Sequence, residues 1–311
     1  MKIVVSGSLA YDRIMDFPGK FSDNILPEKI HILNVAFQVN GVKVRFGGTA
    51  GNIAYALTLL GERPVISATI GHDYHPYFAW LAKNGISTDN IKIIEEDFTA
   101  SAYITTDLLN NQITGFHPGA MKYSSSLDFD HLDPIDTMVI ISPGNLDDMA
   151  KYPGQCKALG VDYIFDPGQS LPMLSAKELV QAIDGCRMLV SNEYEMELIL
   201  KKTGLGQESL LDLAGTIIVT RGELGSRVFT HEGSIDVQAV KPARVLDPTG
   251  VGDSYRGGLI AGLARGLSLE QAARMGTVCA SFCLECYGTQ DYRFSLQEFN
   301  ERLAAAGRSL S

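Results

Sequence analysis

The sequence predicts an α/β fold: a mostly parallel sheet with helices on both faces, plus a small β-sheet acting as a lid. Three observations carry this expectation. Short apolar runs alternate with helical patterns through the middle of the chain. The first apolar run ends in Gly7 and a polar turn, as open α/β sheets do where they present ligand groups. Two β-rich stretches, about 13–46 and 97–121, interrupt the alternation.

In chain order, Ile3–Ser6 is the first strand and runs into Gly7-Ser8-Leu9-Ala10-Tyr11-Asp12. Residues 13–46 hold two prolines and few helix signals, with β-rich pieces at Ile30–Gln38 and Val42–Phe46. Ala100–Phe116 alternates around Asn110-Asn111, which suits a hairpin turn. These pieces are expected to pair as the lid. Further strands are expected at Val65–Ile70, Thr137–Ser142, Tyr163–Asp166, Met188–Ser191 and Thr216–Thr220. Helices are expected at Asn52–Leu60, Pro76–Asn84, Leu146–Leu159, Ala176–Ile183 and Tyr194–Lys202. After Asp247 the chain reads as helical to Tyr287, broken near Gly266-Leu267-Ser268, where Ser268 and Gln271 spell a capping box. One domain, 1–311, is expected.

The chain has 311 residues, 45% hydrophobic and 20% charged, ordinary for a globular protein. Its net charge of −10 makes it a poor general binder of nucleic acid or anionic membranes. No apolar run approaches the about 18 residues of a membrane span. The N-terminus reads as a strand and not as a signal peptide, so a cytoplasmic location is expected. Five cysteines, an odd number, point to reduced thiols.

The chemistry concentrates in Asp247-Pro248-Thr249-Gly250-Val251-Gly252-Asp253-Ser254-Tyr255-Arg256-Gly257-Gly258. Glycines before a helix let backbone N–H groups approach an anion, and the helix dipole favours it there. A carboxylate in such a site, Asp253, is repelled by phosphate unless it serves a metal or accepts a proton. The plainer alternative makes Asp253 a helix cap.

This segment resembles the C-terminal signature of the ribokinase-like (PfkB) carbohydrate and nucleoside kinases. The N-terminal signature is similar to Phe46-Gly47-Gly48-Thr49-Ala50-Gly51-Asn52 and the residues to Leu57. Asp166-Pro167, Asn192-Glu193-Tyr194-Glu195 and Val219 to Gly225 follow in the family's order. Pro248 and Val251 depart mildly from the usual signature. Ser6 to Asp12, Asn110-Asn111-Gln112, Phe116-His117-Pro118-Gly119-Ala120-Met121 and Phe165 to Gln169 look like the bacterial nucleoside kinase branch, with adenosine and inosine-guanosine kinases.

The resemblance implies an ATP-dependent kinase acting on the 5′-hydroxyl of a purine nucleoside, with a ribokinase- or fructokinase-like sugar kinase as the alternative. Asp253 falls on the general base, and Gly250, Val251 and Gly252 on the anion hole. Asp12, Gly47, Gly48 and Asn52 fall on the sugar site; Asn52 alone also suits a helix N-cap. Phe116 is a candidate for stacking on the base and Gln169 for reading its edge, with Tyr103 and Phe37 as other lid aromatics. Asn192, Glu195, Thr220, Arg221, Gly222, Gly225 and Gly288 fall on the ATP side. Glu195 is expected to meet magnesium through water. Asp247 and Thr249 match a monovalent cation position, which potassium would fill. The implied partners are nucleoside and ATP, in a monomer or a homodimer formed through the lid.

Cys279, Cys283 and Cys286 copy an iron–sulfur spacing, but Cys279 and Cys286 lie about 10 Å apart along one helix, so packing is expected. His72 and His75 lack a metal spacing. The turn after the first strand lacks Gly-x-Gly-x-x-Gly, which argues against a dinucleotide oxidoreductase. An intact Asp253, Asn192 and Glu195 argue against an inactive sensor.

Overall fold

The structure is a computed structural model and describes residues 1–308. Its elements run β1 (Lys2–Ser6), β2 (Ala10–Asp16), β3 (Val42–Gly47), α1 (Thr49–Leu59), β4 (Val65–Gly71), α2 (His75–Lys83), β5 (Ile91–Ile94), β6 (Ala100–Thr106) and β7 (Gln112–His117). There follow β8 (Thr137–Ile141), α3 (Leu146–Leu159), β9 (Asp162–Phe165), α4 (Ala176–Ile183), β10 (Met188–Asn192), α5 (Glu193–Thr203), α6 (Gln207–Ala214) and β11 (Ile217–Thr220). The chain closes with β12 (Ser226–Thr230), β13 (Gly233–Val237), α7 (Val251–Ala264), α8 (Leu269–Leu284) and α9 (Leu296–Arg308).

Nine strands form the main sheet in the order β13-β12-β11-β10-β9-β8-β1-β4-β5, and all pairs are parallel except β11–β12 and β12–β13. Alternate residues of one strand enter opposite cores, as a period of two requires. Ile3 and Val5 pack with α1, α7 and α8, whereas Val4 packs with α3 and α4. Strands covered on both faces read as continuous apolar runs, which is why their sequences were recognisable.

The small sheet has the order β3-β2-β6-β7. Its β6–β7 hairpin turns through Asn110, which takes a φ of 61°. Asp107 secures this turn by accepting from the backbone N–H groups of Leu109 and Asn111.

Three expectations need correction. Ile30–Gln38 is not a strand: Pro27–Ile32 is a 3-10 turn and the chain beyond it is irregular. Residues Ala10–Asp12 belong to strand β2, not to a turn. Helix α8 ends at Leu284, so Cys286 lies beyond it. β5, β12, β13, α6 and α9 were not anticipated. The capping box at Ser268 and Gln271 is present. Cys279 and Cys283 are buried in the core, their thiols pushed up by burial, and all five cysteines are free. No group of three metal-ligating side chains forms among the described residues, and no helix among them is long and apolar enough to cross a membrane.

Candidate active site

A cavity of about 440 Å³ opens between the small sheet and the carboxyl ends of the main strands. It lies beside β1, where the strand order reverses between β8 and β4. Such a reversal leaves a crevice because the two neighbouring crossovers leave in opposite directions. β1 delivers Ser8 to the cavity and β2 delivers Asp12; the turn after β8 adds Pro143 and Gly144, and the turn after β9 adds Gln169.

Asp253 stands on the cavity wall in the first turn of α7. The helix starts at Val251, with Gly250 at the N-cap and a φ of 74°. Asp253 is therefore not the cap. The first helical hydrogen bond runs from Ser254 N to Gly250 O, so the preceding N–H groups stand outside the ladder. A Cβ on Gly250 would come within 2.7 Å of the Thr289 side chain. The glycine is thus required twice, by its dihedral and by its neighbour.

Asn52 Nδ2 donates to Asp253 Oδ2 at 2.7 Å. Asn52 is inside α1, whose N-cap is Gly48, so the capping alternative for Asn52 also falls. Its side chain faces Asp253 on one side and Gln290 on the other. Burial pushes the Asp253 carboxyl up to about 6, against the opposing pull of Arg256 and the Asn52 hydrogen bond. Asp166 and Glu195 raise it further. Arg256 itself is buried in an ion pair with Asp166, Nη2 to Oδ1 at 2.7 Å. Three carboxylates thus act on one guanidinium.

Asp12 lines the same cavity and is likewise pushed up to about 6, by burial and then by Asp247, with Arg45 pulling it down. Gly48 and Asn52 line the same cavity, and so do Thr249 and Gly250. Gly47 does not; its carbonyl accepts from Tyr77 Oη at 2.6 Å. Phe116 and Gln169 both reach the cavity. Of the other lid aromatics, Phe37 packs against Phe17 and Phe21, and Tyr103 lies by Arg13, so neither lines the cavity.

The remaining expected residues form an outer rim at the ends of β10 and β11. Asn192 and Glu195 make a reciprocal capping box on α5, with both hydrogen bonds at 2.8 Å. Burial raises the Glu195 carboxyl, with Asp166 adding to the effect. Thr220, Arg221, Gly222 and Gly225 make the turn between β11 and β12, and Arg221 is paired with Asp236 at 2.6 Å. Asp247 accepts from Thr249 N and Gly288 N, at 2.9 and 3.0 Å, and so ties the two glycine turns together.

Sequence reasoning missed Met121, Met173 and Ser170. All three line the cavity. Met121 ended a recognised motif without being assigned a role. Gln290 belongs to the Gly288-Thr289-Gln290 segment that the family resemblance places at the closing of the adenine pocket; it is buried, and no local pattern signals its contacts with the distant Trp80 and Asn52.

Residues 4–294 match the model of the pfkB family of carbohydrate kinases. This chain belongs to that family. It is accordingly a phosphotransferase with an alcohol acceptor. It is 32% identical over 281 residues to a nucleoside kinase of Methanocaldococcus jannaschii, covering 89% of this chain and 91% of that one. The structure of a Burkholderia thailandensis nucleoside kinase in complex with inosine is similar, with a TM-score of 0.86 and 35% identity. That match covers 98% of this chain and 97% of the other. The same Burkholderia enzyme in complex with ADP-inosine has a TM-score of 0.84 and 36% identity, covering 98% of this chain and 95% of that one.

Proposed function

We propose that this chain transfers the γ-phosphoryl group of ATP to the 5′-hydroxyl of a purine nucleoside, with Asp253 as general base. The observation that carries the reading is one cavity lined by Asp253 and Gly250 together with Phe116, Met121, Met173 and Gln169. Phe116 is 54% exposed and Met173 61% exposed. Large apolar groups held open beside an amide suit a flat heterocycle with polar edges. The similar enzymes are nucleoside kinases, and one was solved with inosine.

Each residue then has a task. The Asp12 carboxylate accepts hydrogen bonds from a ribose diol. Asp253 receives the proton of the 5′-hydroxyl as that oxygen attacks phosphorus. N–H groups at the start of α7 receive the charge of the transferring phosphoryl group. The small sheet acts as a lid that excludes water, which would otherwise compete as acceptor.

Magnesium, when bound with ATP, neutralises charge on the β- and γ-phosphates. The donor set fits this role: one carboxylate, Glu195, which uses Oε2 to accept from Asn192 N and lies beside the Asp166–Arg256 pair, suits an ion that keeps its waters and leans on phosphate. The reaction would return free purine nucleosides to the monophosphate pool.

A panel of adenosine, inosine, guanosine, cytidine, ribose and fructose with magnesium-ATP, read as ADP release, tests the proposal. A purine nucleoside should give the highest kcat/KM. A higher value for ribose or fructose would reassign the chain to a sugar acceptor.

A further inference from the structure

We propose that Gln290 and Trp80 are positioning residues for the Asp253 carboxylate, fixing the direction of the Asn52 amide so that an N–H faces the base. The inference rests on the reading of Asp253 as general base and adds how that base is oriented.

Hydrogen-bond polarity carries the argument. An indole N–H can only donate, whereas an amide donates from one end and accepts at the other. Trp80 Nε1 donates to Gln290 Oε1 at 2.9 Å. The Gln290 nitrogen must then face the other way. It donates to Asn52 Oδ1 at 3.0 Å and to Tyr77 Oη at 2.8 Å. Tyr77 can accept because its own proton goes to Gly47 O at 2.6 Å. With Asn52 Oδ1 turned toward Gln290, Asn52 Nδ2 must face Asp253, and it does, at 2.7 Å. A donor-only ring three links away thus sets the sign of the last contact.

The chain is well shielded. Gln290 is 1% exposed and Asn52 is 5% exposed, so water cannot readily substitute for a lost partner. The same contacts tie α1, α2 and the 287–291 turn together around the base. If Asn52 were reversed, its carbonyl would face the Asp253 carboxylate. Two acceptors would then meet, and only a protonated Asp253 would relieve the contact. The other groups acting on this carboxylate are Arg256 from its own helix, Asp166 after β9 and Glu195 on α5. Cys283 on α8 and Tyr292 before α9 are close enough to be influenced by it in turn. None of these makes the Asn52 contact, so a change at Gln290 leaves their charges in place.

The test is the pH dependence of kcat for Gln290→Met, which keeps side-chain length and removes both polar ends. The acid limb should move to higher pH by about one unit. Nucleoside KM should change less than about twofold, and kcat should recover toward wild type at high pH, because the base is mis-tuned and not removed. Trp80→Phe removes one N–H while Tyr77 still guides Gln290, and should give a smaller shift in the same direction. A uniform loss of kcat at every pH, with the acid limb unmoved, would overturn the inference. If Gln290→Met does not fold, an unmoved limb in Trp80→Phe overturns it. An active Asp253→Asn variant would remove the base reading itself; an inactive one beside an unmoved Gln290→Met limb would remove this inference alone.

Discussion

Arg256 and Asp166 form an ion pair almost shut off from solvent, with side chains 8% and 2% exposed. It links α7, which carries the glycine turn, to the end of β9, which leads to Gln169. Arg256 lies one turn beyond Asp253 and lowers the proton affinity of both Asp253 and Glu195. One buried cation therefore serves the framework and the electrostatics of the cavity together.

Removing either partner should be costly, because the survivor is left as a buried charge without its ion-pair partner. Arg256→Met or Asp166→Asn is expected to lose about 3–5 kcal/mol of stability. The double variant Arg256→Met with Asp166→Asn should lose much less than the two singles added together. Urea denaturation of the four proteins measures this, and additive losses would contradict it.

Asp12 carries a prediction of opposite sign. Its folded carboxyl sits at about 6 against an ordinary 3.8, because burial and Asp247 disfavour its charge. A carboxyl raised in this way supports the fold while protonated, below its unfolded value. That support is lost as pH rises through about 6. Asp12→Asn should therefore be more stable than wild type at pH 7–8, by about 1–3 kcal/mol, and the advantage should shrink toward pH 4. Acceptor binding should weaken in the same variant. Denaturation curves at pH 4, 6 and 8 check the trend.

Much of this arrangement was legible in the residues. The Gly47-Gly48 and Gly250–Asp253 segments announce themselves because close backbone approach demands glycine, and demand leaves a pattern. The parallel strands were legible because burial on both faces makes them apolar throughout. Ile30–Gln38 misled for a physical reason: β-branched residues favour strands only where a neighbour covers them. Here Ile30 and Ile32 are 64% and 67% exposed. The contacts of Gln290 were not legible, because they depend on Trp80 and Asn52, 210 and 238 positions away.

Gly250→Ala should impair catalysis and folding together. The substitution places a side chain at a φ of 74° and within 2.7 Å of Thr289. A strained dihedral of this kind costs about 1–3 kcal/mol. Thr289→Ala in the same protein should return only a fraction of the steric cost, because it removes Cγ2 and keeps the Cβ at 2.8 Å, and none of the dihedral cost. Melting temperature and kcat of both variants check this, and wild-type values for Gly250→Ala would contradict it.

Nucleoside should also close the small sheet over the cavity. β3 is anchored near its end by Thr289 Oγ1 to Phe46 O at 2.9 Å and by Arg45 to Asp291, so motion is expected in the sheet beyond this anchor. The expected result is slower proteolysis within residues 18–41 when inosine is added. Equal cleavage with and without inosine would count against closure.

The central claim is that Asp253 removes the acceptor proton. Asp253→Asn keeps the shape and the contact with Asn52 while abolishing the base. Single-turnover phosphoryl transfer, with nucleoside and ATP affinities measured by calorimetry, tests it most directly. The account predicts near-normal affinities and a rate reduced about 10²–10⁴-fold, roughly 3–5 kcal/mol of barrier. Loss of the acid limb near pH 6 should accompany it. A rate within about tenfold of wild type would contradict the assignment.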